Sequence, residues 1–291
     1  MRIVLWIIVL LASSFGAAQD CTTYALLDAF DQKTALGIDG LKAQDFEAEM
    51  GNRSLPVLSV TQNLNNRVLV LAEVDNSIPG NSIAELQEMV DRAPAQRPIA
   101  VGVFADGALF TKEFSTNPEQ RKTSMKELIA QSSSLGNHSA VFDALHQALS
   151  LFGEHQPGDT ILLMSHPSDF HSRRNGVDLE KEFLSRGTRL LFIFKPFNPA
   201  KGLGAITEYY NLRELKRLVS TTGGMYTTHR NKDFLSFAWA GYLLELKLPV
   251  NLDKPKEWQL KLRGPTAKMH KDALMVYPQK LPPCHATVAG R

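Results

Sequence analysis

The sequence predicts an α/β protein: a doubly wound, mostly parallel sheet with helices on both faces, joined to a small β-sandwich built from the N- and C-terminal segments. Three observations carry this expectation. Between residues 65 and 240, near-continuous apolar runs alternate with amphipathic helical stretches, the pattern of parallel strands covered on both faces. Residues 22–64 and 241–284 read as short strands and turns, the first too small to bury a core alone and the second short of a partner sheet. One cysteine lies near each end, Cys21 and Cys284.

The start of the chain reads as an export signal. Arg2 supplies a positive charge, Ile3 to Leu11 an apolar core, and Ser13, Ser14, Gly16, Ala17 and Ala18 the small residues of a cleavage site. Residues 1–18 are therefore expected to be a signal peptide cut after Ala18. The apolar run is too short to span a bilayer, and Gln19-Asp20 follow directly. No later segment is long and apolar enough to span one, so no membrane span is expected after signal removal. An exported chain, periplasmic or extracellular, meets an oxidising compartment, where a Cys21–Cys284 disulfide is the natural reading. Such a bond would close a loop of about 260 residues and stabilise by roughly 4–5 kcal/mol.

The 291 residues are 44% hydrophobic and 21% charged, which excludes a disordered or collagen-like chain. Lys and Arg number 32 against 30 Asp and Glu, with no basic block, so neither nucleic acid nor an anionic membrane is expected as a partner.

The elements follow in order. Ala25 to Asp28 reads as a strand, Gln32-Lys33-Thr34 as a turn, Leu41 to Phe46 as a short helical turn and Val57 to Thr61 as a second strand. The apolar runs Val68–Val74, Ile99–Phe104, Thr160–Met164 and Arg189–Phe194 are the parallel strands, with Met225-Tyr226-Thr227 as a weaker sixth-strand candidate. Ala108 to Phe114 alternates after the Asp106-Gly107 hairpin signal and is expected at an antiparallel edge. Helical stripes lie at Ile83, Leu86, Met89 and Val90; at Met125, Leu128 and Ile129; at Val141, Leu145, Leu149 and Phe152; at Phe183-Leu184; and at Leu212, Leu215 and Leu218-Val219. Gly223-Gly224 stops the last of these. Gly202-Leu203-Gly204 reads as a flexible loop. Gly241–Val250, Trp258–Leu262 and Ala273–Tyr277 read as closing strands with no helix between them.

Ligands of a doubly wound sheet bind at the carboxyl ends of the strands, which directs attention to three loops. They are Asp75-Asn76-Ser77-Ile78-Pro79, Gly136-Asn137-His138-Ser139, and Ser165-His166-Pro167-Ser168-Asp169-Phe170-His171. Together with Gly40-Leu41-Lys42-Ala43-Gln44-Asp45-Phe46 and Ser139-Ala140-Val141-Phe142-Asp143-Ala144-Leu145, their order resembles the von Willebrand factor A domain, a Rossmann-like fold. It is most similar to the acidobacterial von Willebrand factor A-related family of exported bacterial proteins, over residues 22–284.

The resemblance implies protein–protein recognition or adhesion at the strand-end face, and a metal-ion-dependent adhesion site holding a divalent cation such as Mg²⁺ through oxygen ligands. Asp75 and Ser77 occupy the first positions of its D-x-S-x-S loop, with Pro79 where the second serine belongs. Ser139 substitutes for the threonine. His166 stands where the family's S-D-G-x-D carries its aspartate, ahead of Asp169. The expectation is a degenerate site without a resident cofactor, on a ligand-binding face of Asp75, Ser77, Ser139, His166 and Asp169. A second arrangement uses His166, Asp169 and His171 beside Asp75 to hold Zn²⁺; the competing reading is a polar loop with solvated histidines.

No G-x-S-x-G elbow, G-x-x-x-x-G-K-[ST] loop or G-x-G-x-x-G follows a strand. Serine, histidine and aspartate near the strand ends leave a hydrolase as the alternative, and the primary expectation is a non-enzymatic binding protein with an unidentified protein partner.

Overall fold

The computed structural model describes residues 21–62, 65–74, 81–169, 171–195, 203–228, 238–239, 241–249 and 252–283. The proposed signal, Asp75, Ser77, Pro79 and Cys284 lie outside the described residues.

Strand β1 (Cys21–Asp31) runs further than its sequence pattern suggested. The turn and the 3-10 turn Ala43–Asp45 follow as expected. A hairpin then appears that the sequence reading lacked, β2 (Phe46–Met50) and β3 (Arg53–Leu55), before β4 (Val57–Gln62). Its signal was short: Phe46, Ala48 and Met50 are buried while Glu47 and Glu49 face outward, a period of two over only five residues.

The central body comprises β5 (Val68–Glu73), α1 (Asn81–Arg92), β6 (Ile99–Phe104), β7 (Ala108–Phe110), α2 (Pro118–Gln131), α3 (Val141–Leu151), β8 (Thr160–Ser165), α4 (Gly176–Arg186), β9 (Arg189–Phe194), α5 (Leu203–Thr221) and β10 (Tyr226–Thr227). Its sheet has the order β10-β9-β8-β5-β6-β7, parallel except at the β7 edge. Val68, Val70 and Ala72 face the core beneath α1 and α2, and Leu69 and Leu71 face the core beneath α3, α4 and α5. That alternation within one apolar run is what a strand covered on both faces requires. Asn117 and Asn175 cap α2 and α4 by accepting from the backbone N–H groups two and three residues on. After α5 the backbone passes so close to the Leu190 carbonyl that a Cβ on Gly224 would overlap it.

One expectation is corrected here: Leu203 and Gly204 open α5 instead of forming a loop. The regular antiparallel edge strand covers Ala108–Phe110, and antiparallel pairing resumes at a bridge between Ile99 and Ser115. Between the two, half-buried Phe114 packs against Phe152, with ring centroids 4.9 Å apart.

The chain then returns through β11 (Tyr242–Leu248), β12 (Lys256–Glu257), β13 (Gln259–Leu262), α6 (Gly264–Met269), β14 (Ala273–Val276) and β15 (Lys280–Leu281). The short helix α6 corrects the expectation of uninterrupted strands; Gly264-Pro265 starts it, proline being preorganised for the first helical turn. β1 lies between β11 and β14, and β11 pairs onward with β4. A second sheet has the order β13-β2-β3, and β12 pairs with β15. The expected sandwich is seen in part: these sheets share a third apolar cluster, including Leu27, Leu244, Leu246, Phe46, Leu260 and Leu281. Burying each such leucine stabilises by roughly 1.5–3 kcal/mol. A buried ion pair joins this body to the larger sheet, Asp28 on β1 to Arg189 on β9 at 2.6 Å. Among the described residues no helix is long and apolar enough to cross a membrane.

Candidate ligand-binding face

β5 and β8 are adjacent at the centre of the sheet, and the chain leaves them in opposite directions, to β6 and β9. Their carboxyl ends therefore mark the topological switch point, the place where doubly wound sheets bind ligands. Glu73, the last residue of β5, is buried there. Its Oε2 accepts from Ser165 Oγ at 2.8 Å and from the His166 backbone N–H at 2.7 Å. The His166 Nδ1 lies 3.4 Å from the same carboxylate, with the imidazole only 12% exposed. Glu73 was missed in the sequence, although an acid inside the apolar run Val68–Val74 is a signal: a buried carboxylate needs donors.

Asp169 does a different job from the one its position suggested. α3 begins after Ala140, which has no side chain to cap it, so its first N–H groups need acceptors from elsewhere. Asp169 Oδ2 accepts from Phe142 N at 3.0 Å and from Ser172 Oγ at 2.6 Å. Its Oδ1 accepts from Ser172 N at 2.9 Å and His171 N at 3.3 Å. Ser172 Oγ accepts from Asp143 N at 3.0 Å, and the Asp143 carboxylate accepts from Arg173 N and Arg174 N at 3.1 and 3.0 Å. The loop after β8 is thus laced to the start of α3, where a carboxylate also meets the positive end of the helix dipole. With both oxygens engaged, Asp169 is a loop anchor and not an available ligand.

The His166, Asp169, His171 set is accordingly not assembled. His166 faces Glu73, Asp169 caps α3, and the His171 ring lies 4.2 Å from that of His138. His138 Nδ1 is in turn 3.2 Å from Asp106 Oδ1. Asp106, His138 and His171 are exposed, and each offers a ligand atom within 4.8 Å of the others. Asp106 and His138 stood in loops already singled out, as a hairpin turn and as the approach to α3; their meeting depends on the bonding of the β6–β7 turn to the segment before α3, which no local pattern reveals.

Ser139 Oγ is withdrawn from solvent and meets no hydrogen-bond partner among the described residues. A lone hydroxyl of this kind suits a cation. Among the described residues, the other donors at the switch point are an imidazole and a carboxylate already holding two donors, which without Asp75 and Ser77 make no octahedral all-oxygen shell for Mg²⁺. Among the described residues, the hydroxyls near these loops bond elsewhere than to histidine rings: Ser165 to Glu73, Ser168 to Glu208 at 3.1 Å and Ser172 to Asp169.

No protein-family model and no curated protein sequence matches the chain. Solved structures resemble it at low identity. BatB from Bacteroides thetaiotaomicron, 12% identical, matches with a TM-score of 0.45 over 60% of this chain and 95% of its own. A von Willebrand factor type A protein from Catenulispora acidiphila, 14% identical, matches with a TM-score of 0.46 over 78% of this chain and 72% of its own. Proximal thread matrix protein 1 from the mussel byssus, in a form with a zinc-occupied MIDAS motif, is 16% identical, with a TM-score of 0.46 over 63% of this chain and 49% of its own. The α/β class assigned to this chain rests on its own sheet order.

Proposed function

We propose that this chain is an exported, non-enzymatic binding protein that recognises a protein partner through the strand-end loops of a von Willebrand factor A-like domain with a degenerate metal-ion-dependent adhesion site. The observation that carries the reading is how the acids of this face are used. Glu73, Asp143 and Asp169 tie one loop to another, which makes a fixed platform and leaves Asn137, His138, Arg173 and Arg174 exposed on it. Polar and guanidinium groups carried on loops already tied in place suit protein recognition, since little loop entropy remains to be lost on binding.

A photo-crosslinking residue placed at Asn137 or Arg173 of the exported protein is expected to give a discrete adduct with its partner. The same residue at Glu154, which is exposed and precedes β8 at the opposite end of the sheet, is expected to give none. Equal adducts from both ends, or labelling of a serine by a fluorophosphonate probe, would replace this reading.

The Cys21–Cys284 disulfide belongs to the same proposal. Cys21 packs against the apolar cluster that contains Leu281, and no described cysteine is a free thiol. Non-reducing peptide mapping of the exported protein is expected to recover a linked pair beginning after Ala18; two alkylatable thiols in the native protein would refute the bond.

A further inference from the structure

We propose that Asp106, His138 and His171 form a binding site for Zn²⁺ or a similar transition-metal ion, beside the switch point and built from residues other than Asp75, Ser77 and Ser139. It does not depend on the protein-binding reading above.

The donor set comes first. Two imidazoles and one carboxylate are ligands for zinc and its neighbours, and a poor set for Mg²⁺ or Ca²⁺. Zinc bonds of about 2.0–2.2 Å place tetrahedral ligand atoms roughly 3.3–3.6 Å apart. The His138 Nδ1 to Asp106 Oδ1 distance is already 3.2 Å, and all three ligand atoms lie within 4.8 Å of one another. Adjustment of exposed side-chain torsions closes the remainder. Three protein ligands leave a fourth position for water or an incoming group.

The site is also preorganised, although its ligands come from three separate loops. Asp106 N donates to Leu135 O at 3.0 Å, and Ala140 N donates to Ala105 O at 3.0 Å. These bonds fasten the β6–β7 turn to the chain on both sides of His138. His171 N donates to Asp169 Oδ1, and Asp169 Oδ2 accepts from Phe142 N, so the third ligand is fastened to the same helix start. Gly136 completes the arrangement. Its φ of +85° favours glycine, and a Cβ there would overlap the Asp106 carboxylate. Ligands held in place by such surrounding bonds lose less entropy when the ion arrives. The stacking of His138 on His171 in the open, 4.2 Å between centroids, sets two bases side by side where an ion can enter directly from solvent.

The experiment uses the untagged full chain and the metal alone. Zn²⁺ titrated against a chromophoric chelator is expected to show one tight equivalent, and Co²⁺ in its place a visible absorption band of a four- or five-coordinate site. His138→Ala and His171→Ala should each weaken Zn²⁺ binding more than about tenfold, with melting temperatures in the absence of metal unchanged because both side chains are exposed. Asp106→Asn should weaken it in the same direction. His166→Ala and Asp75→Ala should leave it intact. Absence of Zn²⁺ binding, insensitivity to His138→Ala and His171→Ala, or loss on His166→Ala or Asp75→Ala instead, would each overturn the assignment. Zn²⁺ binding by a protein that gives no discrete adduct from Asn137 or Arg173, or equal adducts from Glu154, would remove the recognition reading and leave this one standing.

Discussion

Replacing Asp28 with alanine is expected to destabilise the protein by about 3–5 kcal/mol at neutral pH. Asp28 and Arg189 are 4% and 1% exposed, with Oδ2 and NH1 2.6 Å apart. Alanine leaves the buried Arg189 guanidinium with neither the charge nor the acceptor that Asp28 supplies, the situation in which breaking an ion pair costs most. Arg97, on the approach to β6, adds to the load. Burial, with repulsion from Arg189, lowers its pKa to about 10, and its guanidinium donates to Asn66 Oδ1 and to the Trp239 carbonyl.

The pH dependence gives an independent check. Burial, opposed by the attraction and hydrogen bond of Arg189, raises the Asp28 carboxyl from 3.8 to about 6. Between those values the folded chain holds a proton that the unfolded chain releases. This group's contribution therefore favours the native state increasingly as pH falls through about 6 toward 3.8, and is lost as pH rises again, by at most about 1.4 kcal/mol per pH unit. Urea midpoints of the wild type and Asp28→Ala should consequently diverge as pH falls from 7 to 5. A loss below about 1 kcal/mol at pH 7, or parallel pH profiles, would show that the pair does not tie the two bodies together.

Asp169→Ala is expected to cost about 2–4 kcal/mol, because four donors lose their acceptor in a buried place and α3 loses its remote cap. Hydrogen exchange at the Phe142, His171 and Ser172 amides should accelerate with it. Asp169→Asn retains an acceptor oxygen and should fall between the wild type and the alanine variant. If the carboxylate were instead a metal ligand, the loss would appear only with the ion present and the amides of α3 would keep their protection in its absence.

Strands such as Val68–Glu73 and Thr160–Ser165 were legible because burial on both faces writes itself as an unbroken apolar run. Helices α3 and α4 were legible from their apolar stripes. The β2–β3 hairpin and α6 were not, since three to six residues carry too little periodicity to distinguish from a loop. The strand-end loops were correctly singled out as a set, yet their chemistry was not. His166, Asp169 and His171 are near neighbours in sequence and diverge in space, while Asp106, His138 and His171 span three loops and converge. Spacing along the chain predicts a site on a single helix or turn; here the site depends on the order of strands in the sheet, a non-local property. The role of Asp169 followed from a rule that sequence does state, that an α-helix start without a capping side chain must find acceptors elsewhere.

The placement of β1 between β11 and β14 has a consequence for synthesis. β1 is the first described strand to leave the ribosome, and its hydrogen-bonding partners, Tyr242–Leu248 and Ala273–Val276, follow more than two hundred residues later. The six-stranded sheet has all its strands once Thr227 has emerged. For that interval β1 is an apolar strand with two open edges, prone to pair with neighbouring chains. Closure of the smaller body is thus the last and slowest step by contact order, and a chaperone that holds the leading strand until the trailing ones arrive would act on this segment first.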